Sequence, residues 1–332
     1  MRAIVVNAPG PIEGNPLAPI EREQPQPGRG EILVRVKACG VCRTDLHVAE
    51  GDLPPKHPQI IPGHEVVGIV EGLGPGCSRL QPGVRVGIAW LRETCGRCKH
   101  CQSGAENLCP DARFTGWDHD GGYSEFATVR EDFAYPLPDA LADREVAPLL
   151  CAGIIGYRAI KRAGVQPGGT VGLYGFGGSA HLALQVLKHW KCRIFVMSRG
   201  GVHQELARAL GADWVGSAEE PPPAPLDSAI LFAPAGNLVL PALEALDRGG
   251  ILAVAGIYLT PIPQLDYERH LFYEKELRSV TANTRADGIE FLKLAAEIPI
   301  RAETVAMSLD QANHALQMLK HDELSGAAVL TA

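Results

Sequence analysis

Two rhythms of apolar residues divide the 332-residue chain. Up to about residue 150, short β-type runs such as Ile32–Val36, Glu65–Val70 and Val84–Ala89 are separated by Gly- and Pro-rich turn signals. That punctuation predicts an all-β, barrel-like region. From Pro167 the pattern changes. Val171–Tyr174 reads as a strand, Gly175–Gly178 as a glycine-rich turn, Ala180–Trp190 as a helix and Ile194–Met197 as the next strand. Further helix and strand candidates follow at Gln204–Leu210, Ala229–Phe232, Leu238–Leu246 and Ile251–Ala255. Strand alternating with helix implies a parallel sheet with crossover connections. The proline-rich run at 220–225 reads as a loop within it. The tail shows helical stretches near Gly288–Ala296 and Asp310–Lys320 and a last strand at Ala327–Leu330, and there are no internal repeats.

The length exceeds one ordinary core, so two domains are expected. Apolar residues make up 46% and charged residues 21%, the balance of a soluble globular chain. The net charge is −7 and no Lys/Arg tract stands out, which argues against a nucleic-acid surface. The N-terminal apolar run is broken by Asn7 and Pro9, and no run of about 18 apolar residues exists. A cytoplasmic protein without a membrane segment is expected.

Cysteine usage changes the picture. There are nine, an odd number that suits a disulfide framework poorly. Four of them, Cys95, Cys98, Cys101 and Cys109, follow C-x2-C-x2-C-x7-C spacing. Four thiolates so close can close a tetrahedral shell around Zn²⁺ and leave no position for substrate. Gly96 eases the turns between them, and Arg97 and Lys99 offset part of their charge. Free thiols or an iron–sulfur cluster are the alternatives.

Three further segments carry candidate ligands: GVCRTDLH at 40–47, Gly63-His64-Glu65, and Leu149-Leu150-Cys151. Singly, each has a plain structural reading, since a buried Cys is usually a small hydrophobe and Thr-Asp a turn pair. A fourth signal is Gly175-Phe-Gly177-Gly178-Ser-Ala180, which follows a strand and opens a helix. In that setting G-x-G-x-x-G/A places a pyrophosphate at the helix N-terminus.

Taken in order, GVCRTDLH, PGHEVVG, the four-cysteine lobe, APLLCAG and YGFGGSAH resemble the zinc-containing medium-chain alcohol dehydrogenases, in their bacterial cinnamyl-alcohol-dehydrogenase-like branch. The resemblance covers essentially the whole chain. It implies a GroES-like β-barrel catalytic domain, residues 1–153 and 285–332, with a zinc lobe at about 92–112. A Rossmann doubly wound parallel-sheet domain would occupy 154–284. It implies two zinc ions per chain, the catalytic one on Cys42, His64 and Cys151, the two-cysteine, one-histidine set known for alcohol dehydrogenase. Such an ion keeps a position open and acts as a Lewis acid on the substrate oxygen. Thr44 would take the alcohol proton and pass it through the nicotinamide ribose to His47, a residue suited to the outer end of a relay. Asp45 and Glu65 would be carboxylates that orient His64 and tune the metal. Arg43 resembles the position that pairs with pyrophosphate.

About 20 residues after the glycine turn, an NAD site carries an acid for the ribose hydroxyls. Here Ser198 and Arg199 stand there, with no carboxylate between Gly178 and Glu205. That favours NADP(H) over NAD(H), since a hydroxyl and a guanidinium bind a 2′-phosphate. Trp90, Leu91 and Trp117 match segments that line the pocket in related enzymes, expected over the zinc between the domains. They suit apolar or aromatic primary alcohols and aldehydes. A homodimer or homotetramer is implied. The rival readings are a zinc-free reductase on the same plan, which would lack the ligand set, and a non-catalytic zinc-stabilised redox sensor, which has no use for Thr44 and His47.

Overall fold

A computed structural model describes residues 1–331 apart from Pro299 and Ser325. The chain divides into two compact units, Met1–Cys151 with Ala282–Ala332, and Ala152–Thr281.

The first unit is built on a seven-stranded sheet. Its centre is the strand Glu31–Gly40, whose apolar positions Ile32, Val34 and Val36 enter the core. Antiparallel to it run Glu65–Leu73 on one side and Ala327–Thr331 on the other, and Phe126–Arg130 pairs with it as well. Register shifts at Leu33/Val34 and Val36/Ala38 bend this strand, as bulges do. Thr304–Ser308 lies parallel beside Ala327–Thr331, so the tail completes the first unit's sheet. The register has a consequence for chemistry. Gly40 pairs with Glu65, so Cys42, just past one strand, and His64, just before the other, emerge at the same end of the sheet.

The second unit is a six-stranded, wholly parallel sheet. Its order is Trp214–Gly216, Arg193–Met197, Thr170–Tyr174, Leu226–Leu231, Leu246–Val254, Glu276–Ser279. The apolar stretches Val171–Tyr174, Ile194–Met197 and Ala229–Leu231 of its central strands are buried, as strands covered on both faces must be. The first strand lies between the second and the fourth, so the Rossmann switch point falls at its carboxyl end. Gly175 stands there. The expected fold class, a β-rich domain with a doubly wound parallel-sheet domain, is what is observed. Several elements lacked a readable signal, among them the helices Arg43–Glu50 and Ala152–Arg162, the strands Trp214–Gly216 and Thr304–Ser308, and the polar edge strand Glu276–Ser279. Among the described residues, no helix is long and apolar enough to cross a membrane.

One buried carboxylate pins the 74–83 turn. Glu131 accepts hydrogen bonds from the backbone N–H groups of Ser78 (3.0 Å), Arg79 (2.8 Å) and Leu80 (2.7 Å). Burial opposes its ionisation, but those donors win and hold the carboxyl below its usual range. A lowered native pKa means stability that is present at neutral pH and lost as pH falls through the native pKa. Glu131→Gln should therefore cost about 1–3 kcal/mol at pH 7. Denaturant melts at pH 7 and pH 4 should show the gap to wild type narrowing in acid; an equal gap at both would reject this role.

Candidate active site

Donor atoms of Cys42, His64, Glu65 and Cys151 lie within 4.8 Å of one another. The Cys42 and Cys151 sulfurs are 3.9 Å apart. A tetrahedral zinc with bonds of about 2.3 Å to sulfur has S···S edges of about 3.8 Å. His64 is fully buried, and its Nδ1 is 2.9 Å from Asp45 Oδ1. Its Nε2 has no hydrogen-bond partner, a costly state for a buried nitrogen unless something outside the chain satisfies it. A ligating histidine looks like this, with one nitrogen fixed by a carboxylate and the other kept for the ion. The residues present fit a zinc ion.

Asp45 is the hub of the layer behind these donors. Besides holding His64, its carboxylate accepts from the backbone N–H groups of Cys42 (2.9 Å) and Gly63 (3.1 Å). It thus caps the helix Arg43–Glu50 and fixes the imidazole at once. Glu65, expected to share the orienting of His64, stands instead among the donors. Its carboxylate lies across Gly40, where any Cβ would sit 1.8 Å from Oε2. Burial, then the nearby Cys42 thiolate, push the Glu65 carboxyl well above its usual range. The hydrogen bond between the two cysteines lowers the Cys42 thiol and raises Cys151. Thr44 is buried in the first turn of the same helix. His47, one turn on, keeps its ring partly exposed with Nδ1 3.0 Å from Asp52.

Trp90 meets the His64 ring edge-on, with centroids 5.1 Å apart. Phe114 (4.9 Å) and Trp117 (6.0 Å) stack on Trp90. The two tryptophans are thus brought to the donor set, joined by Phe114, which no sequence pattern singled out. Leu91, expected beside them, is instead fully buried in the first unit's core. Tyr123 also went unnoticed: it is fully buried, with its hydroxyl 3.4 Å from Asp45 Oδ2. The neighbouring Gly121-Gly122 pair is the one signal that could have drawn attention to it.

The four lobe cysteines also converge. Sulfur separations are 3.5 Å for Cys98–Cys101, 3.5 Å for Cys95–Cys109 and 3.9 Å for Cys95–Cys101. These are too long for disulfides and match the edge of a zinc tetrahedron. Backbone N–H groups of Arg97 and Cys98 bring Cys95 down to about 6, while burial pushes Cys109 up to about 12.

In the second unit, Gly175 has a left-handed φ of 86° and leaves no room for a side chain, since a Cβ would meet Ala233 at 2.8 Å. Gly177 caps the helix Gly178–His189 and faces open space. Ala180 is buried in the first turn of that helix. At the end of the next strand Ser198 is buried and Arg199 exposed. Arg43 is exposed and pairs with Asp322 at 3.2 Å.

Residues 28–139 match the alcohol dehydrogenase GroES-like domain. The probable alcohol dehydrogenase AdhA of Mycobacterium tuberculosis is 55% identical over 335 residues, spanning 99% of this chain and 97% of its own length. The chain belongs to the zinc-type medium-chain alcohol dehydrogenases. Solved structures agree. A cinnamyl alcohol dehydrogenase of Sorghum bicolor superimposes with TM-score 0.89 at 28% identity, covering 99% of this chain and 97% of its own. A cobalt- and zinc-bound thermostable alcohol dehydrogenase of Pyrobaculum aerophilum gives TM-score 0.89 at 28% identity, over 100% and 99%. In this alcohol dehydrogenase, the cysteine-histidine cluster and the four-cysteine lobe are the two candidate metal centres among the described residues.

Proposed function

We propose that this alcohol dehydrogenase moves hydride between NADP(H) and an apolar or aromatic primary alcohol or aldehyde, with two zinc ions per chain. The observation that carries the reading is the buried His64, its Nδ1 tied to Asp45 and its Nε2 unpartnered beside two sulfurs. Cys42, His64 and Cys151 hold the catalytic ion and the four lobe cysteines the structural one. When bound, zinc in the first set supplies a Lewis acid with a position open to the substrate oxygen. Asp45 keeps His64 in the tautomer that presents Nε2. Glu65 stands ready as a further oxygen donor. The Thr44 hydroxyl receives the substrate proton, and His47, oriented by Asp52, accepts it at the outer end. Trp90, Phe114 and Trp117 present aromatic faces to an apolar substrate and exclude water.

The dinucleotide is held by Gly175, Gly177, Gly178 and Ala180, with Arg43 toward its pyrophosphate. Ser198 and the exposed Arg199 favour the 2′-phosphate. Assembly into a dimer or tetramer is supported by the exposed Ile257, Tyr258, Tyr267, Phe272 and Tyr273 near the sheet-edge strand Glu276–Ser279. A screen of aromatic and aliphatic aldehydes with NADPH and NADH, with metal measured on the same sample, tests the whole reading. Arg199→Ala should raise KM for NADPH by about 10-fold or more, the worth of a charged hydrogen bond, and leave NADH nearly unchanged. A wild type that prefers NADH would overturn the cofactor assignment.

A further inference from the structure

We propose that the segment Phe114–Tyr123, which leaves the four-cysteine lobe, is the positioning element for His64, so that retention of the catalytic ion depends on it. The proposal rests on the assignment of Cys42, His64 and Cys151 as the catalytic ligands.

His64 ends a short run, Ile61-Pro62-Gly63, that belongs to no helix or strand. Buried backbone polar groups in such a run must find partners elsewhere. Proline lacks an N–H, so the run offers two donors and three acceptors. The Ile61 N–H donates to Asp120 Oδ1 (2.9 Å). The carbonyls of Ile61, Pro62 and Gly63 accept from the N–H groups of Gly121 (2.7 Å), Tyr123 (3.0 Å) and Gly122 (2.8 Å). The last group, Gly63 N–H, donates to Asp45, the carboxylate that also holds the His64 ring. Four of the five backbone groups before the ligand are therefore fixed by residues 120–123.

The fit has no slack. A Cβ on Gly121 would lie 2.1 Å from the Gly63 carbonyl oxygen, and one on Gly116 2.9 Å from Gly63 N. Gly63 itself takes a left-handed φ of 95°, and the Tyr123 ring fills the space a side chain there would need, at 2.4 Å. The same segment grips the ring side of His64. Phe114 and Trp117 stack on Trp90, whose edge-on contact limits the imidazole, and Thr115 bonds the Trp90 carbonyl through its N–H (2.9 Å). Trp117 in turn donates its indole N–H to Pro54 O (2.8 Å). These groups reach the metal only through His64, so they position rather than react. Partners behind a metal ligand are worth about 10- to 100-fold in metal affinity.

Metal release separates this role from general stability. Zinc-loaded protein is mixed with the chelating dye 4-(2-pyridylazo)resorcinol, and release of the two ions is followed with time. The catalytic phase is the one missing from Cys42→Ser. Asp120→Ala removes the acceptor for Ile61 N–H at a partly exposed position, together with the Asp120 ion pair to Arg22 (3.1 Å), and Gly121→Ala presses on the Gly63 carbonyl. Both should speed the catalytic phase by about 10-fold or more, with the lobe phase unchanged and Asp120→Ala still folded, its melting temperature lowered by only a few degrees. A catalytic phase at the wild-type rate in folded Asp120→Ala overturns the proposal, whatever Gly121→Ala does. A wild type that holds a single ion overturns the ligand assignment beneath it, which distinguishes the two failures.

Discussion

Replacing Cys42 with serine should lower kcat/KM by about 10³-fold or more, the loss of several kcal/mol of Lewis-acid stabilisation at 1.36 kcal/mol per decade. The fold should survive, and the reason is local. Cys42 is the N-cap of the helix Arg43–Glu50, and serine is among the best N-caps. The Cys42 N–H can still donate to Asp45, and the Gly175–Gly178 turn lies in the other unit, so dinucleotide binding should persist. Steady-state kinetics, a melting curve and cofactor fluorescence on one preparation check all three. Activity within tenfold of wild type would remove Cys42 from the metal site.

The second large effect is on the lobe. Between Thr94 and Ala105 no side chain is buried, so this stretch has no apolar core of its own. Closing four thiolates on an ion is worth about 10–16 kcal/mol in small zinc modules. Cys98→Ser removes one corner and should leave the stretch unfolded in an otherwise folded chain. Arg97 and Lys99 are exposed there and give trypsin its sites. Cleavage after these residues should accelerate by roughly 100-fold or more in the variant, because local opening governs proteolysis. Wild type loaded with zinc and cut equally fast would show that the metal does not order the lobe.

What could be read in advance follows from how local each signal is. The parallel sheet was legible because its first two strands are unbroken apolar runs: Val171–Tyr174 extends only to Thr170, and Ile194–Met197 only to Arg193. The lobe cysteines were legible because all four fall within fifteen residues, whereas Cys42, His64 and Cys151 spread over 110 and were joined only through a family resemblance. The helix Arg43–Glu50 hid behind a Thr-Asp pair that reads equally as a turn. Asp45 turns out to serve as both cap and imidazole holder, two roles that local pattern presents as alternatives. Glu276–Ser279 alternates too little to announce an edge strand. Phe114 stacks on Trp90, 24 positions away, and the Asp120–Tyr123 brace holds residues about 60 positions away; no period or spacing encodes such a contact. Glycine density at 116, 121 and 122 is its only trace in one dimension.

The most direct check is to count metal ions per chain by mass spectrometry in wild type and in Cys151→Ala. Two zincs falling to one, with the lobe ion retained, is the expected result. A single zinc in both proteins would mean that Cys42, His64 and Cys151 form no metal site, and hydride transfer assisted by them would have to be abandoned.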